Sequence, residues 1–433
     1  MHKRLVGLAA LAMLAAGCSE GEEDATTSAT GRGERDEAAD SVVEQFAGEE
    51  WFLGTVPDEP VAAEAGAEPI PVGMINQEDT PLGSFPELRR ATEGTVEFIN
   101  QELGGVNGRP LELTTCIVSF DVEQSQACAQ EMVQADVVAL TGGIDVTSNG
   151  SLPVLEQNGV AQVGGIPANR VEQRSDVHFF FSGGTAGAVA GFLSDVADQG
   201  GERAVIAYGD FDAFETSARD YGVPVGESLG VDVDLTEFPV TATDFLPVLT
   251  EASEGDPDAI IMLVAGSSCV PVMETYAELG IEAQLYLVGA CAADEILEAA
   301  GDAADGVIFN SEGPVDEGDV EGDLFNAVNA RYADGEGSGT GTLGMRSLMN
   351  LYSLLDELGP DGASREGVLE LIREAEDRPS FWGHPYTCDG QQVEGLPALC
   401  APQQTLFTAA GPSDFTRVGE PYRDTVALFD AAL

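Results

Sequence analysis

Reactive side chains are scarce in this 433-residue chain, which has three histidines and a single lysine, Lys3. Base catalysis near neutral pH falls mostly to histidine, and a Ser–His–Asp triad needs its nucleophile on an exposed elbow. No GxSxG occurs; His384 stands in the turn-like Trp382-Gly383-His384-Pro385, and His178 opens an apolar run. A phosphate-cradling GxxxxGK[ST] has no lysine to use. Gly339-Thr340-Gly341-Thr342-Leu343-Gly344 fits GxGxxG, but a dinucleotide site needs an apolar strand just before it, and Asp334–Ser338 is a polar loop. The acidic run Asp316–Asp323 lacks EF-hand spacing, and no cysteine pair has CxxC spacing. The sequence therefore offers no catalytic residue, no metal site and no cofactor site. What remains is non-covalent: hydroxyls, backbone N–H groups and aromatic faces in loops, chemistry suited to holding a small molecule.

The elements that would position such loops alternate strand and helix. Ile70–Ile75 is an apolar run, followed by a polar loop, Asn76–Phe85. Leu88, Ala91, Thr95, Phe98, Ile99 and Leu103 then share one helical face, and Gly104-Gly105 stops that helix. Val106–Pro110 is a turn, and Leu111–Val118 a second strand. Such a β-loop-α-turn-β unit has parallel strands and a right-handed crossover, with its loop at the carboxyl end of the strand where open α/β sheets bind ligands. Further strands are expected over 137–140, 160–164 and 179–182, with the loops Thr141–Ser148 and Gly165–Asn169 at their ends. A helix running from Ser148 to about Asn158 should turn its N-terminus to the cleft, with Thr147 and Ser148 as caps or as anion contacts. Gly183-Gly184 is a joint. A second alternation follows, with strands over 203–208, 231–238, 259–264, 284–288 and 306–310 and a helix over 215–229. Three helices over 323–376 come next, then short strands and turns from Tyr386 to Val418.

The first unit, with Ile99-Asn100 and Gly104-Gly105-Val106-Asn107-Gly108-Arg109-Pro110, resembles the start of the substrate-binding proteins of ABC importers, specifically the branched-chain amino acid type. The resemblance extends more weakly over Ile70–Val418. It implies the type I periplasmic binding protein fold: α/β, two doubly wound Rossmann-like lobes joined by about three hinge crossings. The lobes would be 70–182 plus 311–385 and 183–310 plus 386–433. It also implies a monomer that delivers a small polar ligand, an amino acid or related compound, to the importer's permease subunits. A sensor of the same fold is the alternative, and a surface α/β hydrolase a more distant one.

The resemblance further implies a ligand site. Ser84 and Phe85 match the first cleft loop, Thr147 and Ser148 the hydroxyl-bearing loop, and Pro167, Ala168 and Asn169 the second loop. Phe214 matches an aromatic of the second lobe. Amino-acid-binding members carry a carboxylate for the ligand's ammonium where this chain reads Gly289-Ala290-Cys291-Ala292. Asp145, Asp294 and Glu312 are the candidates to replace it.

Charge and cysteines set the compartment. Seventy-six acidic residues against 18 basic ones give a net charge of −58, which repels nucleic acid and anionic membrane. Residues 1–17 form a leader, with a basic start (His2, Lys3, Arg4) and an apolar run, Leu5–Ala16, too short to span a bilayer. Ala15-Ala16-Gly17-Cys18 resembles a bacterial lipobox, with Leu14 one place early; it implies lipidation of Cys18 and anchoring on the outer face of the cytoplasmic membrane. Cleavage as an ordinary signal peptide near Gly17 is the alternative. Residues 18–69, rich in Glu, Asp, Ala and Gly, read as an acidic flexible tether, interrupted by Phe46–Val56. Six further cysteines outside the cell suggest disulfides, and the expected elements favour neighbours: Cys116–Cys128, Cys269–Cys291 and Cys388–Cys400.

Overall fold

The computed structural model describes residues 41–80, 83–264, 266–315, 318–412 and 414–432. The leader, the lipobox with Cys18, the first part of the expected tether and Asp316-Glu317 lie outside the described residues. The expected tether is structured from Ser41 onward. Val42, Val43 and Val56 gain by leaving water, and none is more than 2% exposed. Ser41 and Glu44 form a capping box on the helix Val42–Gln45, and strands β1 (Glu50–Trp51) and β2 (Gly54–Thr55) make a hairpin. The N–H groups of Val43 and Phe52 donate to the carboxylates of Glu102 and Glu321, at 2.8 and 2.7 Å.

A five-stranded parallel sheet follows, in the order β4-β3-β5-β6-β7. Its strands are β3 (Ile70–Gln77), β4 (Leu111–Val118), β5 (Ala139–Thr141), β6 (Ala161–Val163) and β7 (His178–Phe179). All of β3 except Pro71 is buried, as a strand covered on both faces must be. Phe98, Ile99, Leu324, Leu348 and Leu351 cover one face from the helices Pro86–Glu102, Val320–Tyr332 and Gly341–Gly362. Met132 and Leu155 cover the other from the helices Val122–Gln134 and Leu152–Asn158.

The second sheet has seven strands: β8 (Arg203–Gly209), β9 (Asp232–Phe238), β10 (Ala259–Leu263), β11 (Gln284–Leu287), β12 (Ile308–Ser311), β13 (Gln404–Gly411) and β14 (Asp414–Arg423). Their order is β14-β13-β12-β11-β10-β8-β9; β8 to β12 run parallel, while β13 and β14 are added at one edge by antiparallel pairing. Side chains alternate between two cores with the period of a strand. Ala204, Ile206 and Tyr208 pack under the helix Gly184–Asp198, whereas Val205 and Ala207 face the helix Cys269–Leu279.

Four local expectations need correction. The strand expected over Phe179–Ser182 is only His178–Phe179, because Phe180 instead pairs with Leu399. The helix expected over Glu215–Leu229 carries a π-helical segment, Thr216–Gly222: Pro224 has no N–H, and Val223 reaches back to the Ala218 carbonyl. The stretch Tyr386–Val418 is not a set of short strands, since it holds the start of the long hairpin β13–β14; Leu406 of β13 joins one core of the sheet and Phe407 and Ala409 the other. The helix after Thr147-Ser148 begins a turn later, at Leu152, because Asp145 holds the intervening residues in its own turn.

The chain passes between the sheets after β7, after β12 and before β13. Before β13, Tyr386, Cys388 and Cys400 belong to the core beside the first sheet, whereas Val393, Leu396, Ala398 and Leu399 pack with Tyr221 and Phe429. Disulfides join Cys116 to Cys128, Cys269 to Cys291 and Cys388 to Cys400.

Candidate functional site

The loops after β5 and β6 press against each other and against the helix Gly341–Gly362. A Cβ on Gly142 would stand 2.0 Å from the Gly165 nitrogen, and one on Gly164, whose φ is +81°, would stand 2.5 Å from Ser347 Cβ. Only glycine permits this approach. The Gly165 N–H donates to Ser347 Oγ at 3.0 Å.

Within these loops the hydroxyls are already engaged. Asp145, 7% exposed, accepts from Ser125 Oγ (2.5 Å), Thr147 N (2.9 Å), Thr147 Oγ1 (2.7 Å) and Ser151 Oγ (3.1 Å). Ser148 Oγ accepts from Asn169 Nδ2 at 2.8 Å, which fastens one loop to the other. Asn169 Oδ1 caps the next turn through the N–H groups of Val171 and Glu172. The Ala168 N–H donates to Glu172 Oε2 at 2.7 Å. Burial raises the Glu172 carboxyl to about 8, and Asp145 nearby adds to the rise. His178 Nδ1 lies 3.8 Å from Glu172, and burial lowers this imidazole to about 3. The two are a neutral pair at neutral pH, since desolvation outweighs an attraction across that distance.

The surface these loops leave open is apolar. Phe85, Val146 and Ile166 are half-buried around Met74, Leu88, Ile144 and Leu343. Ser84 is exposed at the rim, where its Oγ accepts from Asp79 N at 3.2 Å. Pro167 is buried, with its carbonyl against Gly184, at the start of the first passage between sheets.

The second sheet contributes aromatic rings. Phe211 and Phe214 follow β8, edge to face at 5.6 Å, and Phe214 is half-buried on the sheet's core. Phe120, which follows β4, meets Phe211 at 5.9 Å. Phe120 holds this place at φ +62°, a conformation costly for a bulky side chain. Gly339, just before the helix Gly341–Gly362, lies near Ala293, which follows β11: a Cβ added to it would stand 3.6 Å from the Ala293 Cβ. Cys269–Cys291 ties the loop after β10 to the loop after β11. Glu87, bonded by the Thr340 hydroxyl, is raised by burial, with Glu295 adding to the rise.

The passages themselves carry charge. Ser182 Oγ donates to Glu312 Oε1 at 2.9 Å, and Arg346, 5% exposed, stands 3.9 Å from the other Glu312 oxygen. Burial lowers the Arg346 guanidinium. Of the three candidate carboxylates, Asp145 is enclosed by its own loop, Glu312 faces Arg346, and Asp294 opens the helix Asp294–Ala300.

Sequence reasoning missed Val146, Ile166, Glu172, Phe120 and Phe211. The Ile144/Val146 pair between two glycine-bearing loops was a readable sign of an apolar floor. Nothing local marked Glu172, whose burial is a tertiary effect. Among the described residues no group of His, Cys, Asp or Glu could hold a metal ion, and no helix is long and apolar enough to cross a membrane.

The family model described as periplasmic binding protein matches residues 69–396. None of the curated proteins matches. Among solved structures, the chain is similar to a leucine binding protein from Thermotoga maritima, at 17% identity and a TM-score of 0.64 over 81% of this chain and 98% of that one. It is similar to a fatty acid ABC transporter substrate-binding protein from Thermomonospora curvata, at 13% identity and a TM-score of 0.67 over 86% and 96%. A solute binding protein of an ABC transporter from Rhodopseudomonas palustris, in complex with p-hydroxybenzoic acid, matches at 17% identity and a TM-score of 0.67 over 82% and 97%.

Proposed function

The chain belongs to the periplasmic binding protein family, with the type I fold and no enzymatic role, and from that premise we propose that it captures a small ligand between its two lobes and delivers it to the permease of an ABC importer. In this reading the lobes are residues 70–182 with 311–385, and 183–310 with 386–433. The observation that carries this reading is the meeting of Phe120 with Phe211. It supports a cleft between the carboxyl ends of the two sheets, where α/β sheets bind ligands.

Ser84, Phe85, Val146, Ile166, Pro167, Ala168 and Asn169 line the first wall, and Phe214 with Phe211 the second. Asp145, Thr147 and Ser148 shape the first wall from behind. Both walls offer apolar surface, and the loop after β11, where amino-acid-binding members place a carboxylate, offers instead a cysteine closed in a disulfide. These features favour a ligand with an apolar body and a polar end, held by backbone N–H groups, over a zwitterionic amino acid. The similar structures are named for leucine, fatty acid and p-hydroxybenzoic acid, so ligand chemistry varies across the fold and this chain's own residues must decide it.

Thermal-shift screening against amino acids, amides and small aromatic and aliphatic acids tests the reading. A ligand raises the Tm by mass action, and a hundredfold excess over Kd stabilises by about 2.7 kcal/mol. Small-angle scattering of the protein with that ligand should show a smaller, closed particle and a monomer. A screen with no hit, or a hit that leaves the particle unchanged, speaks against capture by closure.

The anchor is part of the same proposal: the leader is removed, Cys18 is lipidated, and the protein is held outside the cytoplasmic membrane. Labelled palmitate should enter the wild type but not Cys18→Ala. Equal labelling of both would remove the lipoprotein from the account.

A further inference from the structure

A second cavity lies away from the cleft loops, where the chain makes its last passage between sheets. It measures about 380 Å³ and is lined by His384, Gln392, Gln403, Tyr422, Asp424 and Val426. None of these residues belongs to the cleft walls. Two of its lining residues carry an unsatisfied polar atom. Gln403 is 7% exposed, and its Oε1 is buried with no hydrogen-bond partner. Gln392 Oε1 is buried and unpartnered as well. A buried amide oxygen left without a donor costs stability, so two of them beside one cavity call for a donor. His384 Nδ1 stands 2.6 Å from the Pro385 carbonyl, so that nitrogen carries a proton, and in the neutral ring Nε2 is then an acceptor. Asp424 adds a carboxylate, one oxygen of which accepts from Val426 N at 3.0 Å. Two buried cations stand nearby and both are matched: Arg423, between Tyr422 and Asp424 in sequence, by Asp195 and Asp198, and Arg346, behind Gly383, by Glu312. The His384 and Tyr422 rings, edge to face at 5.2 Å, and Val426 supply apolar wall.

We propose that this cavity is a second binding site, for a small organic cation bearing a primary ammonium. An ammonium has three N–H donors and no acceptor, the complement of two amide oxygens, an imidazole nitrogen and a carboxylate. A carboxylate or phosphate ligand would meet like charge at Asp424. The cavity joins the segment before β13 to the end of β14, so its occupant bears on the passage the lobes turn about.

The test uses 1,4-diaminobutane as probe and 1,4-butanediol as its uncharged counterpart, by calorimetry on the full chain at physiological salt, where loose attraction to an acidic surface is screened. The wild type is expected to bind the diamine and not the diol. Gln392→Leu with Gln403→Leu removes both unpartnered acceptors at similar volume; it should weaken the diamine by about tenfold and leave the Tm equal or higher. Phe214→Ala, in the cleft, should leave diamine binding as it was. Three results overturn the proposal: no diamine binding by the wild type, equal binding of diol and diamine, or a double variant that binds as the wild type does. Loss of diamine binding in Phe214→Ala alone places the cation in the cleft and also overturns it. A failed ligand screen at the cleft would leave this result untouched.

Discussion

The two walls of the cleft are held by different means. On the first sheet, the loops after β5 and β6 are knotted by polar bonds: Asp145 gathers four donors, and Asn169 ties Ser148 to the next turn. On the second, Phe211 and Phe214 lean on each other and a disulfide clamps the loops after β10 and β11. A knot of buried hydrogen bonds fixes shape closely and penalises any broken member. Rings in edge-to-face contact tolerate small shifts at little cost. In the proposed cleft the first wall would then be a preformed seat, and the second a surface able to adjust on closure.

Breaking the knot should have the largest effect. Asp145→Ala leaves two serine hydroxyls, a threonine hydroxyl and an N–H without their acceptor, and should cost about 4 kcal/mol in a urea melt. A cost below about 1 kcal/mol would mean that the loop is held by its glycines and apolar contacts. The matching break in the second wall, Cys269→Ala with Cys291→Ala, should cost about 2–4 kcal/mol. It should weaken ligand affinity while leaving hydrogen exchange in the first wall unchanged; exchange rising in both walls would erase the contrast.

Glu172 sharpens the comparison through pH. Its pKa is raised in the fold from 4.5 to about 8, so the folded protein holds this proton more tightly than the unfolded chain. The sign follows: stability from this group is full below about 4.5 and is lost as pH rises towards about 8. Glu172→Gln keeps an acceptor for Ala168 and should flatten the pH dependence of Tm in that window. Identical slopes in the two proteins would show that Glu172 is ionised in the fold. The smallest expected effect is that of Phe120→Gly. It relieves a left-handed φ, worth about 1–2 kcal/mol, and loses an aromatic pair worth about 0.5–1.5 kcal/mol. Stability should barely move, while scattering of the ligand-free protein should shift towards a more open particle. A large stability change with no opening would make Phe120 a core residue and not a contact between lobes.

Much of the scaffold was legible because it rests on periodicity. Leu111–Val118 and Cys269–Leu279 stand where the apolar pattern put them, since each is an ordinary strand or helix covering a core. The hairpin β13–β14 was not, because its edge strand β14 is mostly exposed and dilutes the apolar pattern with polar residues. The candidate site was legible in position more than in use. Thr147 and Ser148 occupy the expected loop, but their hydroxyls serve Asp145 and Asn169. That choice depends on the loop after β6 lying within 3 Å, which no local spacing reveals. The apolar face of Phe85, Val146 and Ile166 is assembled from three loops distant in sequence.

The central claim is that one ligand is gripped from both walls. The most direct measurement is calorimetric affinity for the ligand returned by the screen, in Phe85→Ala and in Phe214→Ala, with circular dichroism as the folding control. Each ring gives up apolar surface worth about 1–3 kcal/mol, so each variant should bind roughly tenfold or more weakly while remaining folded. Unchanged affinity in both folded variants would contradict the account.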